Sequence, residues 1–346
     1  MKFKYWTKST LKISILLFLI LLIINYIVNP NMKFDNKSLK NNYFSTIEYA
    51  KKLKIKLSDD KYTLIFGTSR SALVSNDTLN SEVLNIGVIY GSPHSVYTFL
   101  SSLTKKEISN IKEIYYLVDL HTLNSNSKFV KNDDFMSDDS FIQSIKNLIS
   151  INFQDLYRIY LKLKFTLFGS EYIVHENGYS VKKDSDIMAL PKFNVSTDQK
   201  YDDSALEKLK IINDFCIKNN LKITYYTATF IDEWLSKQVD PNIIIERWSK
   251  ILDLGIKGFY GLWYIPEVSS INKEGKYNFS DYSHMNYNTL KYVYENYILN
   301  ENKKYYIENK EELIKTITDI DNKIGGFEKY NLINAYNIQK VNNEQK

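Results

Sequence analysis

The sequence predicts an α/β fold, a sandwich of helices on a mainly parallel β-sheet. Two observations carry this. Short apolar runs rich in β-branched and aromatic side chains recur along the chain, and segments of helical period separate them. A third fixes the direction of reading: the first run passes straight into a glycine turn, Gly67-Thr-Ser69-Arg70.

The N-terminus comes first. Leu11 to Val28 is apolar apart from Lys12, Ser14 and Asn25. Eighteen residues at about 1.5 Å each reach roughly 27 Å, close to the thickness of a bilayer's hydrocarbon core. Lys2, Lys4 and Lys8 precede the run, which places the N-terminus in the cytoplasm. A cleaved signal peptide is the alternative, but Ile27-Val-Asn-Pro-Asn is a poor cleavage site. The expectation is a cytoplasmic stub and signal anchor over residues 1–30, with the rest of the chain outside the cytoplasmic membrane.

Residues 31–60 read as a polar stalk with a helix near Tyr43–Leu53, and 61–300 as the α/β domain. Its expected strands are Tyr62-Thr-Leu-Ile-Phe, Val83-Leu-Asn-Ile-Gly-Val, Glu113-Ile-Tyr-Tyr-Leu-Val-Asp, Lys222-Ile-Thr-Tyr-Tyr-Thr-Ala and a last one over Gly258–Ile265. Each is apolar on both faces, as strands covered on two sides are. Helical patterns lie at Ser92–Lys105, Ser204–Asn219 and Asp232–Leu254. The stretch 125–200 is Asp/Ser/Lys-rich and reads as a helical insertion, with pieces at Phe141–Ile151 and Leu156–Leu167. Residues 301–346 hold a helix over Lys310–Ile324, then a polar tail.

Composition narrows the chemistry. Four of the five net positive charges are Lys2, Lys4, Lys8 and Lys12, so the remainder is near neutral and offers no nucleic-acid footprint. The single cysteine, Cys216, excludes an intrachain disulfide and sits in a helix-core pattern. Histidines are scarce (His94, His121, His175, His284), and none has the spacing of a metal site. No metal or cofactor is expected.

One of those histidines follows an aspartate by three residues in a polar segment, Asp281-Tyr-Ser-His284-Met-Asn, expected as a loop beyond the last strand. Upstream, Ser69 stands on the glycine turn at the carboxyl edge of the sheet. A serine hydroxyl attacks only with a base in hydrogen-bond reach. His284 can be that base, and Asp281 can hold its other nitrogen. Either the three form a catalytic triad, or Ser69 is a helix cap and His284 a satisfied surface histidine. Arg70 is either a salt-bridge partner steadying the turn or a contact to an anionic polymer. His121 reads as a polar strand end, and His94 as structural.

These residues resemble the SGNH (GDSL-type) hydrolase superfamily, over roughly residues 60–300. The N-terminal anchor and the Gly-x-Ser-Arg form are most similar to its membrane-tethered bacterial branch, whose members act in teichoic-acid D-alanylation and in O-acetylation of exopolysaccharide or peptidoglycan. The resemblance implies a three-layer, flavodoxin-like sandwich, with Ser69, Asp281 and His284 catalytic. It implies an oxyanion hole from Ser69 and a second-block residue; Asn85-Ile-Gly87-Val-Ile-Tyr-Gly91 offers two glycines, of which Gly91 is favoured, with Tyr90 the competing alignment. Thr68 fills the position that is commonly Asp. The third block, Gly-x-Asn-Asp, is absent: the strand ends Leu117-Val-Asp119-Leu-His121. Losing such an amide donor costs about 2.7–4 kcal/mol of transition-state stabilisation. Asn124 is the nearest substitute.

The functional expectation is a membrane-anchored acyltransferase or esterase working on a cell-envelope glycan or teichoic-type polymer through an acyl-Ser69 intermediate, with a membrane-bound O-acyltransferase as a partner. The competing readings are a non-catalytic tethered scaffold or carbohydrate-binding factor, and a lysophospholipase-like enzyme.

Overall fold

The computed structural model describes residues 2–28, 56–87, 91–123, 203–238, 240–273, 277–281, 284–300 and 303–327, with short pieces at 156–157, 160, 172–174 and 180–182. The chain divides into two compact units, one of residues 1–52 and 134–183, the other of 53–133 and 184–346.

The first unit holds the continuous helix α1 (Lys2–Val28). The described side chains of α1 cover 10–24 and 26, fewer than the expected apolar run, and among the described residues no helix is long and apolar enough to cross a membrane. The expected helices at Tyr43–Leu53 and Phe141–Ile151 lie outside the described residues. Where the sequence suggested only helices, the unit also holds an antiparallel pair, Tyr172–Val174 with Ser180–Lys182.

In the second unit β1 (Tyr62–Phe66) enters a tight 3-10 turn at Ser69–Ser71. Then follow α2 (Asn76–Leu79), β2 (Val83–Asn85), α3 (Pro93–Ser101), α4 (Lys105–Ser109) and β3 (Ile111–Leu117). After the insertion come α5 (Asp203–Lys218), β4 (Lys222–Tyr226), α6 (Asp232–Gln238), α7 (Pro241–Leu252) and β5 (Phe259–Tyr260). A two-stranded ladder, β6 (Phe279–Asp281) and β7 (His284–Met285), leads into α8 (Tyr287–Val293) and a π-helical turn at Tyr294–Ile298. An edge strand, β8 (Tyr306–Ile307), and α9 (Lys310–Ile324) complete it.

The sheet order is β8-β5-β4-β3-β1-β2, with every pair parallel except β8 with β5. Its five parallel strands therefore run 2-1-3-4-5, the doubly wound order in which ligands bind at the carboxyl ends between strands one and three. Helices lie on both faces. Successive strand residues point to opposite sides: Tyr115 meets Tyr294 of the π-helical turn, whereas Tyr116 meets Phe66, which meets Phe99 of α3. On the α3 side Trp248 of α7 stacks on Phe259 at 3.9 Å.

Several expectations shift. The helix expected over Asp232–Leu254 is two helices, because Asp240 caps a new one and Pro241 opens it. The strand expected over Gly258–Ile265 pairs only at Phe259–Tyr260 and is not the last, since β8 follows it at the edge. The helix expected over Ser92–Lys105 stops at Ser101, and Thr104 starts another through a reciprocal capping box with Glu107. Cys216 is fully buried, and burial pushes its thiol up to about 12.

Candidate active site

The carboxyl ends of β1, β3, β4 and β5 align, with Phe66 opposite Tyr116, Leu117 opposite Tyr226, and Tyr226 opposite Tyr260. The chain leaves β1 at the switch point, and Gly67 makes the exit. Its φ is +148°, and a Cβ there would stand 2.6 Å from Ser71 Oγ and 2.8 Å from Leu117 Cβ. Only glycine fits both the conformation and the space. Thr68 is extended, and the turn closes with the amides of Ser71 and Ala72 donating to the carbonyls of Thr68 (2.9 Å) and Ser69 (3.2 Å).

Ser69 Oγ lies 2.6 Å from His284 Nε2. Residues 215 apart in the chain are thus within hydrogen-bond reach, the distance a serine–base pair requires. His284 does not sit on a loop, as its polar surroundings suggested. It occupies β7, paired in register with Asp281 of β6. The ladder is anchored by the fully buried Phe279 and by Tyr277, whose hydroxyl donates to Asp232 Oδ1 at 2.8 Å. Burial, with Asp232 next, pushes that phenol up. Just beyond His284, Asn286 caps α8 by accepting from the Thr289 amide at 2.9 Å. The stretch Asp281–Asn286 is therefore a register pair, a presented imidazole and a helix cap in six residues. The backbone of Asp281 faces that of His284 across the ladder; its side chain lies outside the described residues.

The second-block glycines differ. The Gly87 amide donates to Asn85 Oδ1 at 2.8 Å, which takes it out of an oxyanion role. Gly91 packs on the Ser69 turn: a Cβ there would be 2.7 Å from the Gly67 carbonyl oxygen and 2.9 Å from Thr68 Cγ2. Its own carbonyl accepts from the buried Tyr116 hydroxyl at 3.0 Å. Tyr90 and Asn124 lie outside the described residues, as does the side chain of His121.

Arg70 is in an ion pair. Its Nη1 donates to Asp119 Oδ2 at 2.7 Å, and its guanidinium lies 5.1 Å over the Phe230 ring. The same carboxylate oxygen accepts from Thr68 Oγ1 at 2.6 Å. Asn85 ties the other side: its Nδ2 donates to the carbonyls of Ser71 and Val74, both at 2.8 Å. Thr68, Asn85 and Asp119 went unassigned in the sequence. The signal was present only for Asp119, an acid two residues beyond the end of a strand buried on both faces.

A small recess is bounded by Arg70 and Met285, the residues after Ser69 and His284, together with Leu117, Thr229, Leu262 and Val293. Its interior admits little more than one water-sized group. His94 Nε2 is 3.0 Å from Ser204 Oγ, joining α3 to α5. Among the described residues no group of three or more His, Cys, Asp or Glu side chains is placed to hold a metal. No protein-family model, curated protein or solved structure matches the chain.

Proposed function

We propose that the chain is a serine acyl-transfer enzyme, an acyltransferase or esterase of SGNH type, anchored in a bacterial membrane and acting on a cell-envelope glycan or teichoic-type polymer. The observation that carries the reading is the 2.6 Å contact of Ser69 Oγ with His284 Nε2 at the switch point of the sheet. In the proposed reaction Ser69 Oγ bonds to the acyl carbonyl carbon while His284 Nε2 takes the hydroxyl proton. The backbone N–H groups of Ser69 and Gly91 hold the oxyanion. His284 returns the proton to the leaving oxygen. An acceptor hydroxyl or water, deprotonated by the same nitrogen, then releases the acyl group from the serine. The role of Asp281 is to accept from Nδ1 and stabilise the imidazolium.

The anchor rests on α1. Leu11, Ile13, Leu16, Leu17, Phe18 and Ile23 are all exposed on it, a contiguous apolar surface that suits lipid far better than water. A membrane-bound O-acyltransferase supplying the acyl group, and an extracytoplasmic location of the second unit, belong to the same reading. A second reading, a tethered non-catalytic scaffold, is favoured by one observation: the end of β3 supplies a carboxylate occupied by Thr68 and Arg70 where the family's third block has an amide.

The test is to incubate the full chain in detergent with an activated acetyl ester, quench in acid, and map the adduct by peptide mass. Acetyl on the peptide carrying Ser69, absent from Ser69→Ala, is the expected result. An unmodified chain, or acetyl placed equally on Ser69→Ala, sends the assignment to the scaffold.

A further inference from the structure

We propose that Asp119 is a positioning residue for the nucleophile, and that Arg70 is the counter-ion that keeps its carboxylate from opposing the developing oxyanion. The inference rests on Ser69 being the nucleophile, but its physical core does not. One carboxylate oxygen, Asp119 Oδ2, accepts from Thr68 Oγ1 at 2.6 Å and from Arg70 Nη1 at 2.7 Å. Those are the residues immediately before and after Ser69. Asp119 is 4% exposed and leaves the neighbouring strand of the sheet, so the hold on the turn is made from a fixed scaffold. Charge-assisted bonds of this length are short and strong, and a buried charge gains most from them. The clamp therefore fixes the turn on both sides of the attacking oxygen, where small misplacements cost rate.

The sign of the electrostatics gives the proposal its edge. A carboxylate bonded to both chain neighbours of Ser69 disfavours the negative charge that forms on the substrate oxygen. Arg70 cancels it. Removing Arg70 alone takes away the cation bound to the buried carboxylate, so the rate should suffer more than when both charges are removed. A purely structural pair follows the same order in stability, because a lone buried charge is the costlier state, but it leaves kcat per folded molecule unchanged.

Four variants of the full chain in detergent separate these cases: Arg70→Met, Asp119→Asn, the double variant, and Thr68→Val, with Thr68→Ser as the conservative rescue. Hydrolysis of p-nitrophenyl acetate is followed as kcat and KM, and deuterium exchange is followed at the amides of Ser71 and Ala72. Arg70→Met should lose about a hundredfold in kcat with KM little changed. The double variant should recover about tenfold of that. Thr68→Val should fall about tenfold, and Thr68→Ser should stay close to the native rate. Exchange at the two amides should quicken at least tenfold in Asp119→Asn and Thr68→Val. A double variant slower than Arg70→Met, or Thr68→Val at the native rate, overturns the proposal. If the native chain hydrolyses no ester, the serine reading fails; the clamp is then judged by exchange alone, and unchanged protection in Thr68→Val refutes it. Should Asp119→Asn not fold, Thr68→Val still decides.

Discussion

The Ser69 turn and the histidine ladder meet at one hydrogen bond but are built in opposite ways. The turn at 67–71 is held from every side: Gly67 fits between Ser71 and Leu117, Asn85 bonds the carbonyls of Ser71 and Val74, Asp119 grips the two neighbours of Ser69, and Gly91 packs against its backbone. The ladder that presents His284 pairs Phe279 with Met285 and Asp281 with His284, and is held at its ends by Tyr277, Phe279 and the Asn286 cap. In the proposed mechanism a firmly held nucleophile faces a base on a two-stranded ladder, where the base can adjust as its proton moves. Damage to the turn should appear as lost stability as well as lost rate, and damage to the ladder mainly as lost rate.

The largest expected effect breaks the comparison at its meeting point. His284→Ala should lower ester hydrolysis by about 10²–10⁴-fold, the usual worth of a general base. Thermal unfolding should move little, because the imidazole is only half-buried. A fall of less than about tenfold removes His284 from the mechanism.

Next, Gly67→Ala tests the turn. The added methyl meets Ser71 Oγ and Leu117 Cβ at a positive φ, so destabilisation of about 2–4 kcal/mol is expected, read as a lowered midpoint in denaturant unfolding. A near-native midpoint means that the turn is looser than its contacts imply.

Asn286→Ala sharpens the other half. Loss of the α8 cap costs about 1 kcal/mol, yet it frees the chain two residues after His284. The rate should fall several-fold more than stability alone accounts for, since nearly all the chain remains folded. Equal sensitivity in Asn85→Ala, at matched stability, would erase the distinction between the two regions.

The smallest effect is a control that every variant needs. Cys216 is fully buried and its thiol pushed up to about 12 by burial, so below that pH it stays protonated and inert. Alkylation at about pH 8 should be negligible in the folded chain and rapid in denaturant. Fast native alkylation would mean that α5 opens locally.

The fold was legible where local pattern and tertiary environment agree. β1 and β3 are buried on both faces and read as apolar runs, and α9 carries its own cap at Asn309 and stop at Gly325. Short elements were not legible. β8 is two residues at an edge, and the β6–β7 ladder is too polar for a strand pattern because one of its residues meets the turn rather than the core. The same division runs through the site. Ser69 and His284 stand on local motifs, a glycine turn and an Asp-x-x-His spacing. Thr68, Arg70 and Asp119 take their meaning from partners 51 and 49 residues away, and nothing in their local sequence specifies those pairings. Asn85 likewise looks like a strand-end turn residue until its amide is seen on the carbonyls of Ser71 and Val74.

The central claim is that Ser69 is a nucleophile activated by His284. Its most direct test is intact-mass and peptide mapping of the full chain after reaction with a fluorophosphonate, which bonds covalently only to an activated hydroxyl. One adduct per chain on Ser69, lost in Ser69→Ala and slowed at least a hundredfold in His284→Ala with Cys216 still protected, is the predicted result. An unlabelled native chain, or labelling of Ser69 at the same rate without His284, would contradict it.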